Sequence, residues 1–163
     1  MVKIKKFRLV GTVALLSALS ATLPASAHHS FASYNMEIMK VFTGVVTRVN
    51  PDANHLQIFF APMTDERKNV LRDASGQPEL WAVEMTGSAQ AAEEGITVDA
   101  FPPGTVFSVA LHPSRSGDRA GARAAESSIF KCPPRTPPAA GKHCDSVAGF
   151  VAFGKGPLPE PKG

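Results

Sequence analysis

After residue 27 the chain offers one good helix segment, Ser88-Ala-Gln-Ala-Ala-Glu-Glu-Gly95, and it is short. Ser88 can cap its start and Gly95 its end. Two turns of helix do not persist alone in water, so tertiary packing has to hold them. The rest of any core must therefore come from strands.

Candidate strands are present on both sides of the helix. Val41-Phe-Thr-Gly-Val-Val-Thr-Arg-Val49 is rich in β-branched residues, and Gly44 in its middle suggests a bulge or sharp bend. Asn50-Pro-Asp-Ala-Asn54 is a turn by composition. His55–Phe60 resumes as a strand with Leu56, Ile58 and Phe60 on one face and His55, Gln57 and Phe59 on the other. The polar run 61–77 carries Asp65, Glu66, Arg67, Lys68, Arg72 and Asp73 and reads as a long hairpin loop. Leu80–Thr86 is a third strand that puts Trp81, Val83 and Met85 in the core and Glu84 outside. Past the helix and the turn Pro102-Pro103-Gly104, a fourth strand spans Thr105–His112, with Phe107, Val109 and Leu111 inward. Arg115–Arg123 reads as a Gly-rich basic loop, Ala124–Lys131 as a fifth strand, and Ser146–Phe153 as a short last one. Three strands, a helix and two strands is the element order of a small OB-like five-stranded barrel, with the helix between strands 3 and 4. An open β-sandwich is the alternative.

The first 27 residues have the layout of an export signal. Lys3, Lys5, Lys6 and Arg8 precede an apolar run, Leu9–Leu23, and Ala25-Ser26-Ala27 has the small-x-small form of a cleavage site. The run is about 15 residues against the roughly 20 needed to cross a bilayer, so no stable membrane anchor is expected after cleavage. Cleavage there leaves 136 residues, enough for one domain: an N-terminal arm at 28–40, a β domain at 41–153 and a Gly/Pro-rich tail at 154–163 expected to be disordered. Four of the 17 Lys and Arg residues lie in the signal, leaving 13 against 14 Asp and Glu. The basic pI of the whole chain thus belongs to the signal, and nucleic acid is not an expected partner. Export favours pairing Cys132 with Cys144 as a disulfide around a Pro-rich loop. A Cys132/His143/Cys144 metal cluster is the other reading, weakened by the adjacency of His143 and Cys144.

The residues bear a likeness to a known group. The start His28-His29-Ser30-Phe31, the strand Phe42-Thr-Gly44-Val45-Val46, the strand Trp81-Ala-Val-Glu84 and Pro103-Gly104, in this order, resemble a family of small exported bacterial proteins carrying a domain of unknown function. The likeness covers roughly 28–131. Such proteins tend to have Asn-Pro-His after the first strand; here Asn50-Pro51 is followed by Asp52, and the histidine arrives at His55. The resemblance implies export and a small β domain, and no established activity.

The candidate sites follow from residue chemistry. A mature N-terminal His28 can chelate through its α-amino group and its own imidazole, which favours Cu(II). An α-amino pKa near 7.7–8.0 makes deprotonation easy at neutral pH. His29, His55 or His112 could add a nitrogen, so His28, His29 and His55 are the metal candidates and copper the candidate cofactor. Against this, a peptidase site tolerates almost anything after the cut, and His-His is then only a polar start. Arg115, Arg119 and Arg123 are candidates for holding an anion, or for the contact surface of an envelope protein partner. Glu84 is a candidate general acid/base, though strand glutamates are mostly just solvated. No Gly-x-Ser-x-Gly, phosphate-binding glycine loop or Cys-x-x-Cys is present, and no constellation supports hydrolytic or redox enzymology.

Overall fold

In the computed structural model, residues 32–51 and 54–163 are described. Seven strands run β1 (Lys40–Pro51), β2 (Leu56–Pro62), β3 (Trp81–Glu84), β4 (Val106–Pro113), β5 (Ala120–Arg123), β6 (Ile129–Lys131) and β7 (Val151–Phe153). The helix α1 (Ser88–Glu93) lies between β3 and β4, and a 3-10 turn covers Cys144–Ser146.

The fold is mainly β, and its centre is a closed ring. The strand order is β1-β2-β3-β5-β4, and β1 pairs again with β4 to shut it. All pairs in the ring are antiparallel except β3–β5, which is parallel. A five-stranded mixed barrel with its helix after the third strand is consistent with the OB-like architecture expected from the sequence. Two further strands extend it: β6 pairs with β4, and β7 with β6.

Hydrophobic alternation explains which residues fill the ring. Leu56, Ile58 and Phe60 of β2, Val83 and Met85 around β3, and Phe107, Val109 and Leu111 of β4 are all buried. Phe60 stacks edge-on against Phe107, with centroids 5.3 Å apart, and Phe101 closes the same cluster. Each such ring buries enough apolar surface that truncation to Ala costs about 3–5 kcal/mol. Trp81 is partly buried and packs on the edge of this core, stacked with Phe42 at 4.7 Å.

Three local expectations are corrected. The fifth strand of the ring is Ala120–Arg123, inside the segment expected as a basic loop, while Ile129–Lys131 lies outside the ring. The sequence Ala-Gly-Ala-Arg has little strand propensity of its own, but it is gripped by β3 on one side and β4 on the other. A Cβ on Gly121 would sit 2.6 Å from the His112 carbonyl oxygen, so only glycine allows that close approach. The register slip in β1 falls between Val46 and Arg48, not at Gly44; Gly44 makes room for the Phe60 ring, whose Cδ2 a Cβ would meet at 2.5 Å. Finally, Gly87 takes the N-cap position of α1 and Ser88 begins the helix, whereas Gly95, at φ 79°, ends it as expected.

Unusually for a small barrel strand, β4 is covered on both faces. Ser108, Ala110 and His112 point away from the core, yet all three are buried. The amide of Cys144 donates to Ser108 Oγ at 2.9 Å, and His112 Nδ1 meets the Ile38 carbonyl at 2.8 Å. Residues 154–163 also make contacts: Lys162 forms a two-way main-chain bridge with Met39, and Leu158 packs beside the disulfide.

Candidate functional site

The arm before β1 is anchored at Tyr34. Its main chain bridges to Ser114, and Asn35 N donates to the Pro113 carbonyl at 2.8 Å. The Tyr34 hydroxyl reaches Glu84 Oε2 at 3.1 Å. Glu84 also accepts from Gln57 Nε2 at 3.4 Å, and its Oε1 lies 3.7 Å from His55 Nδ1. Period-2 alternation of β2 and β3 puts these side chains on the outer face, opposite Ile58 and Val83. The polar cluster Tyr34, His55, Gln57 and Glu84 is thus assembled by the arm and two strands. Burial first, and then the charge and hydrogen bond of Glu84, push the Tyr34 phenol up to about 12.

His55 Nδ1 contacts the Met85 carbonyl at 3.2 Å. A carbonyl can only accept, so Nδ1 carries a proton, which in the neutral ring leaves the lone pair on Nε2. A neutral imidazole held this way by its second nitrogen is the usual state of a metal-binding histidine. His112 has the same arrangement toward Ile38 but is 5% exposed, enclosed beneath the arm. His28 and His29 lie outside the described residues. Among the described residues, no three His, Cys, Asp or Glu side chains gather closely enough to hold a metal ion.

The three loop arginines go to separate tasks. Arg115 Nε donates to the Tyr34 carbonyl at 3.0 Å and clamps the arm. Arg119 pairs with Glu79 at 3.3 Å. Arg123 is buried, ion-paired with Glu94 and bonded to the Ser127 carbonyl. Nothing in these contacts makes them converge on one anion.

Cys132 and Cys144 form a disulfide, with Cα atoms 4.9 Å apart. The bridge consumes both thiolates, so the Cys132/His143/Cys144 metal cluster has no sulfur ligands to offer. Instead His143 Nδ1 meets Thr43 Oγ1 at 2.8 Å, and Thr43 Oγ1 meets Ser108 Oγ at 2.7 Å. Sequence reasoning missed this chain and the Tyr34 link, because each joins residues 50 to 100 positions apart.

Residues 17–124 match the sequence profile of a family described as Family of unknown function (DUF6152). The chain belongs to this family. No curated protein and no solved structure is significantly similar to it. The family assignment carries no activity, and among the described residues no helix is long and apolar enough to cross a membrane.

Proposed function

We propose that the protein is exported to the periplasm or beyond and binds a metal ion, copper, through His28, His29 and His55. The observation that carries this reading is the Tyr34–Glu84–His55 cluster. It fixes Tyr34, six residues after His28 in the sequence, to Glu84, which in turn lies beside His55, whose Nδ1 is engaged by the Met85 carbonyl. From Tyr34 back to His28 is six residues, a span of at most about 20 Å when extended, so the mature N-terminus can reach His55. Cleavage after Ala27 would give His28 an α-amino group, which with its imidazole forms a chelate suited to Cu(II). His55 would complete it from the folded domain, with Met85 and Glu84 holding the ring in place. The disulfide supports an oxidising compartment.

Calorimetric titration of protein beginning at His28 with Cu(II) tests the reading. Acetylating the α-amino group of His28 removes the chelating amine and should weaken binding at least tenfold. His55→Ala should weaken it further. Equal affinity in all three proteins would sink the reading.

A further inference from the structure

We infer that a second site, a cavity between the ring and the disulfide loop, binds a small carboxylate with an apolar tail, anchored by Arg67 and His143. The cavity has a volume of about 310 Å³, and its lining includes Phe42, Met63, Leu71, Asp65, Arg67 and His143. Its lining is about evenly polar and apolar, so polar groups can anchor one end of a small ligand while Phe42, Met63 and Leu71 meet the other.

The polar end is organised by groups that the metal reading does not use. Arg67 is 8% exposed, and its backbone is held in the left-handed region at φ 58°. For a residue other than glycine this is an uncommon conformation that the surroundings must enforce. Nε donates to the Lys142 carbonyl at 2.9 Å and Nη1 to the Thr64 carbonyl at 3.1 Å. Both partners are neutral, and no carboxylate among the described residues pairs with Arg67 within 4.0 Å. A guanidinium has five N–H donors. The remaining donors are not sealed away, since no Arg67 nitrogen is both buried and without a partner. A nearly buried cation whose hydrogen bonds go to carbonyls, and whose only carboxylate influence among the described residues comes from Asp65 beyond ion-pair distance, still favours an anion nearby.

His143 supplies the second donor, and its tautomer follows from the hydroxyl chain behind it. Ser108 Oγ accepts the Cys144 amide. Ser108 is fully buried, and Thr43 Oγ1 is the acceptor in reach of its hydroxyl proton. Thr43, having accepted from Ser108, donates its own proton to His143 Nδ1. The ring therefore carries its hydrogen on Nε2, the one nitrogen the chain leaves unused. Burial, and then the Arg67 charge, lower the His143 pKa and keep the ring neutral despite Asp145 and Glu160. The site thus combines a fixed cation with a neutral N–H donor. A carboxylate suits both, and the side chains of Phe42, Met63 and Leu71 suit a short apolar tail. Asp65 at the rim is exposed and opposes an anion electrostatically.

Benzoate and its neutral isostere benzamide are the probes. The readout is the His143 ring-nitrogen resonance in the oxidised protein. Millimolar benzoate should shift it saturably and benzamide should not. Arg67→Lys, which cannot keep both carbonyl bonds and offer a fork, should weaken benzoate at least tenfold. Asp65→Asn should tighten it about threefold, the size of one partly exposed charge interaction. The exposed Asp65 side chain makes that variant safe for folding even if Arg67→Lys is not. No saturable shift with benzoate, an equal response to benzamide, or affinity that Asp65→Asn leaves unchanged would overturn the inference.

Discussion

Tyr34 and Glu84, fifty residues apart, are joined by a hydrogen bond of 3.1 Å that fastens the N-terminal arm to the outer face of β3. Tyr34 is the sole tyrosine of the chain, so its ionisation can be followed directly by phenolate absorbance. The midpoint should lie at about 12 and not at the usual 10.0. Because the folded value is raised, the contribution to stability is fully present below the unfolded value and is lost as pH rises through the folded one. Glu84→Gln should lower the midpoint only part of the way, since burial is the larger cause. A midpoint in the wild-type protein at the ordinary value would show the arm undocked.

The His143 imidazole gives a pH dependence of opposite sense. Its folded pKa lies below the usual histidine value of 6.5, so the unfolded chain binds the proton more readily. Stability should therefore be complete above about 6.5 and decline as pH falls below it. Thermal melts between neutral and mildly acid pH should show a drop in Tm that His143→Gln removes. Comparing the two proteins subtracts the carboxylates, which titrate lower. Identical pH profiles would show that His143 is not held neutral by the fold.

Reduction of Cys132–Cys144 should cost about 3 kcal/mol, the chain-entropy value for a loop of this length. Denaturant titration with and without reductant measures it. The same treatment should abolish the benzoate response, because Gly141 and His143 belong to the loop that the bridge closes.

Gly121→Ala should destabilise the ring by about 1–3 kcal/mol through overpacking alone. The added methyl meets Leu111 and the His112 carbonyl at the point where β5 is paired on both sides. A substitution to Ala at Gly87, whose backbone is extended at φ -174° and where a Cβ would meet only the Asn54 carbonyl oxygen at an ordinary 3.7 Å, is the control for glycine flexibility. Equal losses at the two positions would refute the steric account.

These cases also show what the sequence could reveal. Leu56, Ile58 and Phe60, or Phe107, Val109 and Leu111, announce their strands because one face is buried and the period is two. Ala120–Arg123 announces nothing, since its strand state is imposed by two neighbours and not by its own side chains. His55 stood out by its position at the start of β2. Glu84 stood out as an outward strand carboxylate, but its link to Tyr34 did not, because a hydrogen bond across fifty residues leaves no local pattern. Arg67 hid within a hydrophilic run where five charged neighbours made an inward turn invisible. Thr43 and Ser108 looked like ordinary strand positions until the disulfide loop was seen to cover them.

The ring is complete at Arg123, and the segment shared with the family ends one residue later. Everything after that point, including β6, β7, the disulfide and the turn carrying His143, is laid over a barrel that is already shut. The proposed carboxylate cavity lies on that seam, with Thr43 and Arg67 on one side and Gly141 and His143 on the other. This chain cut after the closed ring would keep the cluster around Glu84 but lose half of the second site. Substitutions in the appended segment alone would then change what the cavity holds, with the barrel and its arm left untouched.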